Sequence, residues 1–170
     1  MKVLIIRHAP AEDRDVWAKT GASDDDRPLT PAGRDKMVKN AAGLHTVISD
    51  IRLLATSPLL RARQTGEIVA AEYGLSIVSM TEALVPSQPL EQFIEWLAAR
   101  PSGGVIAVVG HEPHLGVLAT WLVSGVEQPG IELKKGAACL ISFDAAPAAG
   151  GGRVRWLLQP SQLRALASEG

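Results

Sequence analysis

Short apolar segments alternate with longer segments of helical pattern along the chain, and this alternation restricts the fold more than any other feature. The runs KVLII, LLATS, LSIVSM and GGVIAVVG have the length of strands and the composition of strands buried on both faces. A segment of helical periodicity follows each of them, directly or after a loop. Because such alternation builds a parallel sheet covered by helices, we predict an α/β fold, a three-layer α/β/α sandwich with a mostly parallel central sheet.

Capping and turn residues predict where the helices begin and end. Thr30 and Pro31 are predicted as the N-cap and first residue of the helix in LTPAGRDKMVKNAAGLH. Ser57 and Pro58 are predicted to begin the helix through LLRARQTGEIVAAEY, which ends at Gly74. Further helices are predicted for QPLEQFIEWLAAR, for LGVLATWLVSG and after Pro160, and a closing hairpin for AACLISF and GRVRWLL.

The length and charge of the chain exclude several classes of protein. The 170 residues predict one domain that covers residues 1–170 and buries a substantial core. The net charge of −1, without a basic cluster, argues against nucleic acid or an anionic membrane as a partner. No apolar run approaches the roughly 20 residues of a membrane span, and the N-terminal run is too short for a signal peptide. We therefore expect a cytoplasmic protein, a monomer because no long exposed apolar stripe is evident, with the lone Cys139 buried.

Polar and charged residues occupy the ends of the predicted strands. In α/β folds of this kind, ligands bind at the carboxyl ends of the strands. An isolated arginine or histidine at such a position often has a purely structural explanation. Two arginines and two histidines at the ends of three different strands instead predict a shared site. The residues at or just after the strand ends are Arg7, His8, Ser57, Arg61, Glu82 and His111.

Arg61 gives the most specific indication of a ligand. It is predicted to lie in the first turn of its helix, where a cation opposes the helix dipole at a cost of about 0.3–1 kcal/mol. An anion held by the backbone N–H groups at that helix N-terminus would offset the cost. Arg7 would supply a second guanidinium group, which is suited to phosphate oxygens. The pattern therefore predicts a phosphoryl-binding site.

His8 is predicted to be the reacting group of that site. Neighbouring positive charge disfavours the imidazolium form and lowers the pKa of the ring. The neutral ring has a free lone pair near neutral pH, and beside a bound phosphoryl group that lone pair is a nucleophile. Because His8 follows a buried strand, its position relative to the ligand would be fixed.

Four motifs, in this order, resemble the histidine phosphatase superfamily, which has the phosphoglycerate mutase-like fold. They are RHAPAE after the first strand, RPLTPAG before the first long helix, SPLLRARQT after the second strand and VVGHEPHL after the fourth. The resemblance extends from Met1 to about Leu158. The compact length, without a long helical insertion, is most similar to the small SixA-type branch of phosphohistidine phosphatases.

The resemblance implies roles for the residues at the strand ends. His8 matches the nucleophile that becomes a phosphohistidine. Arg7, Arg61 and His111 match the pocket that binds the phosphoryl group.

Three further positions match the motifs less directly. Ser57 lies in the matching turn, although helix capping also explains a serine there. Glu82 lies near the position where larger members keep an acidic proton donor, and this residue or another acid would protonate an alkoxide leaving group. Ala9 departs from the glycine that is common at this position in the family.

The resemblance implies a metal-independent phosphatase without a cofactor, acting through a covalent phosphohistidine intermediate. Its substrate would carry a phosphoryl group, and a phosphohistidine-bearing protein is the expected partner. A broad phosphomonoesterase for small molecules and a non-catalytic phosphate-recognising module remain alternatives. A mutase is disfavoured because it needs a closed pocket, and this short chain has little inserted sequence to build a lid.

Two other motifs allow more than one interpretation. HEPH, at 111–114, offers ligands for a metal, but its histidines are three apart with a proline between them, whereas zincins need histidines four apart on one helix. We therefore predict no metal site, and we expect Glu112 and His114 to shape the loop rather than to line the pocket. The acidic run at Asp24–Arg27 is expected to be a solvated part of a polar loop over residues 9–29, with a lid or a partner contact as the alternative.

Overall fold

The computed structural model describes residues 1–75, 79–101 and 103–168. Strands and helices alternate along most of this length. The strands are β1 (Lys2–Arg7), β2 (Leu53–Thr56), β3 (Ser79–Met80), β4 (Val105–Gly110), β5 (Ala138–Phe143) and β6 (Gly152–Leu158). The helices are α1 (Arg14–Ala18), α2 (Pro31–Val47), α3 (Leu60–Glu72), α4 (Leu90–Ala98), α5 (His114–Ser124) and α6 (Pro160–Leu166).

These strands form one sheet in the order β3-β2-β4-β1-β5-β6. The pairings of β1 with β4, β4 with β2 and β2 with β3 are parallel, whereas β5 pairs antiparallel with both neighbours. The predicted mostly parallel sheet is confirmed, and so is the closing hairpin of β5 and β6. Arg7 lies in register with Gly110, so the residues that follow β1 and β4 emerge side by side. The register alone therefore brings His8 next to His111.

Both faces of the sheet are covered, as the apolar strands predicted. Leu4 and Ile6 of β1 pack into one buried apolar cluster with residues of α2, α3 and α6. Val3 and Ile5 of the same strand pack into a second cluster with residues of α4 and α5. Successive side chains of a strand point to opposite faces, so one apolar run supplies both cores. The three-layer α/β/α arrangement is thereby confirmed, and Cys139 of β5 is buried as expected.

The predicted cap of α3 is wrong. This helix begins at Leu60, its N-cap residue is Leu59, and no side chain caps it. Ser57 instead continues the sheet, since its N–H donates to the carbonyl of Val109 at 2.9 Å. The chain then needs two more residues to turn from the sheet into the helix. Arg61 nevertheless lies in the first turn, as predicted.

The segment 9–29 is more ordered than a polar loop. It contains α1, a 3₁₀ turn at Asp24–Asp26 and a bridge between Ala11 and Leu29. A β-carbon on Gly33 of α2 would collide with the carbonyl of Pro10, so glycine is needed where this segment approaches the helix. For the predicted strand LSIVSM, Ser79–Met80 form β3, and residues 76–78 lie outside the described part of the chain.

None of the helices in the described residues combines the length and the apolar character that crossing a membrane requires.

Candidate active site

A cavity of about 500 Å³ opens at the carboxyl ends of β1, β2 and β4. It contains all four side chains that were predicted to form a phosphoryl site, and acidic and basic residues of the 9–29 segment surround them. Its lining consists of Arg7, His8, Glu12, Asp13, Arg14, Asp24, Arg27, Leu59, Arg61, Pro86, His111, Glu112, Pro113 and Lys135. The location agrees with the expectation for α/β folds.

His8 lines this cavity, with only 6% of its surface exposed. Its Nδ1 lies 2.7 Å from the carbonyl oxygen of Ala9, a contact in which the ring nitrogen must donate its proton. The proton of the neutral ring is therefore assigned to Nδ1, which leaves the lone pair on Nε2. A neutral imidazole with a free lone pair is what nucleophilic attack by a histidine requires.

The environment holds both histidines in the neutral form. Burial is the main cause that lowers the pKa of His8 to about 3; the charges of Arg61, Arg7 and Lys135 act in the same direction, and the hydrogen bond to Ala9 opposes them. Burial is also the main cause that lowers the pKa of His111 to about 2. The two rings lie close together, with centroids 5.1 Å apart. Both groups are therefore uncharged near neutral pH.

Ser57 contributes through His111 rather than as a helix cap. It is fully buried, and its Oγ lies 2.9 Å from Nε2 of His111. The same oxygen accepts the N–H of Leu59 at 3.4 Å. We assign the hydroxyl proton to the bond with Nε2, which places the ring proton of His111 on Nδ1. In this tautomer, His111 has an N–H to donate.

The guanidinium groups of Arg7 and Arg61 are anchored at their outer ends. Nη1 of Arg7 donates to the carbonyl of Leu133 at 2.7 Å. Nη1 of Arg61 donates to the carbonyl of Asp24 at 2.7 Å, and its Nη2 lies 3.1 Å from the Asp24 carboxylate. Within the described residues, the buried Nε atoms of both arginines and Nδ1 of His111 have no hydrogen-bond partner. Buried donors normally have partners, so these three are suited to an oxyanion.

Thr65 links the peptide that follows His8 to Arg61, a contact that was not predicted from the sequence. Its buried hydroxyl accepts the N–H of Ala9 at 3.0 Å and donates to the carbonyl of Arg61 at 2.8 Å. The signal was present in the sequence, because a hydroxyl residue four positions after Arg61 lies on the same face of the helix.

The acidic run of the 9–29 segment is solvated only in part: Asp24 and Arg27 line the cavity, whereas Asp25 and Asp26 are exposed. Asp24 forms ion pairs with Arg61 at 3.1 Å, Arg27 at 2.7 Å and Arg14 at 3.8 Å. Partial burial opposes its ionisation, but the hydrogen bond from Arg27 and the charge of Arg61 lower the pKa of Asp24 overall. The sequence contained the acidic cluster, but it gave no indication that the chain folds back onto Arg61.

Glu82 lies apart from the other predicted residues. It is exposed at the start of a 3₁₀ turn, Glu82–Leu84, and it does not contribute to the lining of the cavity. Among residues 82–86, only Pro86 lines the cavity. The geometry therefore gives no support to Glu82 as the proton donor.

The HEPH motif shapes the loop, as expected, and Glu112 also lines the cavity, which was not expected. The Glu112 carboxylate accepts the backbone N–H groups of Leu133 and Gly116. His114 is buried in the first turn of α5. The described residues include no group of three or more histidine, cysteine, aspartate or glutamate side chains arranged to hold a metal ion.

The low pKa values of the two histidines predict a loss of stability in acid. Between about pH 6.5 and pH 3, the unfolded chain binds a proton on His8 that the folded chain does not bind. Stability must therefore fall as the pH falls through this window, by about 1.4 kcal/mol per pH unit for each such histidine. Urea unfolding at a series of pH values from 7 to 4 measures this slope. In His8→Ala the decrease of unfolding free energy per pH unit should be smaller by about the contribution of one histidine. An unchanged slope would contradict a neutral, buried His8.

Comparison with known proteins agrees with this geometry. Residues 3–84 match the model of the histidine phosphatase superfamily (branch 1). The phosphohistidine phosphatase SixA of Escherichia coli (strain K12) is 30% identical over 167 residues, covering 96% of this chain and 97% of that protein. An uncharacterized protein of Picosynechococcus sp. is 36% identical over 138 residues, covering 79% of this chain and 81% of that protein.

A solved structure of a protein histidine phosphatase SixA complexed with tungstate superimposes with a TM-score of 0.80. It is 29% identical, and the alignment covers 96% of this chain and 99% of that one. The sheet and helices described above are thus those of the phosphoglycerate mutase-like fold, and the relationship supports a phosphatase, hence hydrolase, activity. The chain belongs to the histidine phosphatase superfamily, in its SixA-type branch.

Proposed function

We propose that this protein is a phosphohistidine phosphatase that hydrolyses its substrate through a covalent intermediate on Nε2 of His8. The observation that supports this most directly is the neutral, buried His8 ring, which lies in one cavity with Arg7, Arg61 and His111. The three buried N–H donors without partners supply contacts for the phosphoryl oxygens.

In the first step, Nε2 of His8 attacks phosphorus in line with the leaving group. The new N–P bond forms as the bond between phosphorus and the leaving group breaks, and the leaving group takes the bonding electron pair. Arg7, Arg61 and His111 stabilise the charge on the equatorial oxygens. Because Nδ1 of His8 already donates to Ala9, the positive charge that develops on the ring is shared with a carbonyl dipole.

In the second step, a water molecule attacks the phosphorus of phosphohistidine. The N–P bond breaks, its electron pair returns to Nε2, and inorganic phosphate leaves. The neutral ring is restored for the next turnover. Burial and the neighbouring cations favour this neutral form, so they also favour release of the phosphoryl group.

The position of Glu82 removes one candidate acid for a phosphomonoester leaving group, but the cavity lining holds other carboxyl groups, those of Glu12, Asp13, Asp24 and Glu112. The proposal of a phosphorylated histidine as the substrate is therefore supported mainly by the similarity to SixA. An alkoxide leaving group needs a proton from an acid in the cavity, whereas an imidazole leaving group needs less assistance. Glu82 is exposed and lies outside the cavity lining. A protein side chain is also an appropriate occupant of an open cavity of about 500 Å³.

A substrate panel tests this proposal. The purified protein is assayed for phosphate release from a phosphohistidine-bearing protein and from small phosphomonoesters, including an aryl phosphate. We expect the highest kcat/KM for the phosphohistidine protein. Faster turnover of small esters would indicate a broad phosphomonoesterase, and binding of phosphate without turnover of any compound would indicate a recognition module.

Substitution of Glu82 tests whether this residue acts as an acid. We expect Glu82→Gln to change kcat on phosphohistidine by less than about threefold, because the carboxyl group is exposed and outside the cavity. The assay is repeated on an aryl phosphate and on an alkyl phosphate. A loss of more than about tenfold that is confined to the alkyl ester would show that Glu82 protonates the leaving group after all.

Metal independence is a further expected outcome. The proposed chemistry uses only guanidinium and imidazole groups, so turnover should persist after dialysis against excess EDTA. Loss of activity in the chelator, with recovery on addition of a divalent cation, would contradict the scheme.

A further inference from the structure

Arg7 is held by a loop that comes from a distant part of the sequence. Its Nη1 donates to the carbonyl of Leu133 at 2.7 Å, across 126 positions of the chain. The backbone on both sides of this residue is fixed to the same loop, since its N–H donates to Ala137 and its carbonyl accepts the N–H of Gly136. The direction of the Arg7 guanidinium therefore depends on where the 133–137 loop lies.

The carboxylate of Glu112 holds that loop in place. Its Oε1 accepts the N–H of Leu133 at 3.0 Å, from the same residue whose carbonyl binds Arg7. Its Oε2 accepts the N–H of Gly116 at 3.3 Å, one of the free N–H groups in the first turn of α5. Glu112 directly follows His111. One side chain thus joins the strand end that carries His111 to the loop that holds Arg7.

The residues around Glu112 leave space for its carboxylate. A β-carbon on Gly116 would lie 2.8 Å from its Oε2 and would also collide with the carbonyl of Ile131, so glycine leaves the room that the carboxylate occupies. Burial raises the pKa of Glu112 overall, and the hydrogen bond from Leu133 and the charge of Arg7 limit this rise.

We propose that Glu112 is a positioning residue, which acts on phosphoryl binding through the path from its carboxylate to Leu133 and from Leu133 to the Arg7 guanidinium. The inference rests on the proposed function, because it assumes that Arg7 binds the transferred phosphoryl group. It assigns Glu112 no contact with the reacting atoms.

A double-mutant cycle tests this path, with the affinity for orthovanadate as the readout. Vanadate resembles the transferred phosphoryl group, and its binding is measured by calorimetry on the full chain. We expect Glu112→Gln to raise the Kd on the order of tenfold, because an amide cannot accept both N–H groups. In an Arg7→Ala background the same change should alter the Kd by less than about twofold, because the path then has no end point.

Glu132→Gln is the matched control. Glu132 is exposed, its charge also acts on Arg7, and its side chain does not line the phosphoryl cavity. This variant removes the same charge without touching the Leu133 N–H, and its Kd should stay within about twofold of the original. Thermal unfolding confirms that each variant is folded. If Glu112→Gln does not fold, Glu112→Asp replaces it, since the shorter side chain keeps the charge and loses the reach.

The outcomes separate this inference from the proposed function. If Glu112→Gln and Glu132→Gln weaken vanadate binding equally, the negative charge alone matters, and the inference is overturned. If Glu112→Gln weakens vanadate binding equally in the original protein and in the Arg7→Ala background, Glu112 does not act through Arg7. This result would also overturn the inference. In both cases the original protein still binds vanadate and the proposed function stands. If the original protein does not bind vanadate, the proposed function itself fails.

Discussion

We expect His8→Ala to abolish phosphate release from every substrate that the protein turns over. The substitution removes the lone pair that attacks phosphorus, and without a nucleophile kcat should fall by several orders of magnitude. Incubation with a ³²P-labelled substrate followed by a rapid quench at alkaline pH should trap labelled phosphohistidine in the original protein and none in the variant.

Binding of the phosphoryl group should survive this change. Arg7, Arg61 and His111 remain, so inorganic phosphate should still bind to His8→Ala. His45→Ala is the matched control, because His45 lies on α2, outside the cavity, and pairs with Glu72 at 3.1 Å. This control should keep both activity and labelling. Turnover in His8→Ala at the original rate would rule out His8 as the nucleophile.

Arg61→Ala is expected to produce the second largest effect. The side chain is 6% exposed, and its Nε has no hydrogen-bond partner within the described residues. Removal of such a preorganised donor typically costs about 2.7–4 kcal/mol of transition-state stabilisation. We therefore expect kcat/KM to fall by about 10² to 10³-fold, measured under initial-rate conditions on the best substrate of the panel.

The same helix supplies the control. Arg63 is exposed, two positions further along α3, and Arg63→Ala should keep kcat/KM within about twofold of the original. Arg61→Lys should recover only part of the loss, since a lysine supplies a point charge without the planar set of donors. If kcat/KM falls by the same small factor in Arg61→Ala and in Arg63→Ala, Arg61 does not stabilise the transition state.

Strong local patterns in the sequence were sufficient to predict the layers and the gathering of four polar side chains in one cavity. The residues of β1 alternate between two buried clusters, and a strand with two buried faces is visible as a continuous apolar run. The four side chains lie at or soon after the ends of neighbouring strands, so the general rule for α/β folds was sufficient to bring them together.

Features that depend on contacts between distant segments could not be predicted. Nothing in the local pattern around Asp24 indicates that it folds back 37 positions onto Arg61. Ser57 illustrates the opposite error, because a serine followed by a proline has the local pattern of a helix cap. Its N–H pairs with β4, and its hydroxyl binds His111 instead. Tertiary hydrogen bonds decided the role of each residue.

The Thr65 hydroxyl connects the backbone next to His8, the proposed nucleophile, with Arg61, which is proposed to bind the phosphoryl group. One oxygen joins the peptide after His8 to the helix turn that carries Arg61. A shift of α3 against the sheet should therefore move the backbone after His8 together with the turn that carries Arg61. The distance between His8 and Arg61 should therefore vary less than the position of either residue relative to the rest of the protein. Their alignment for reaction would then be kept while the surrounding structure fluctuates.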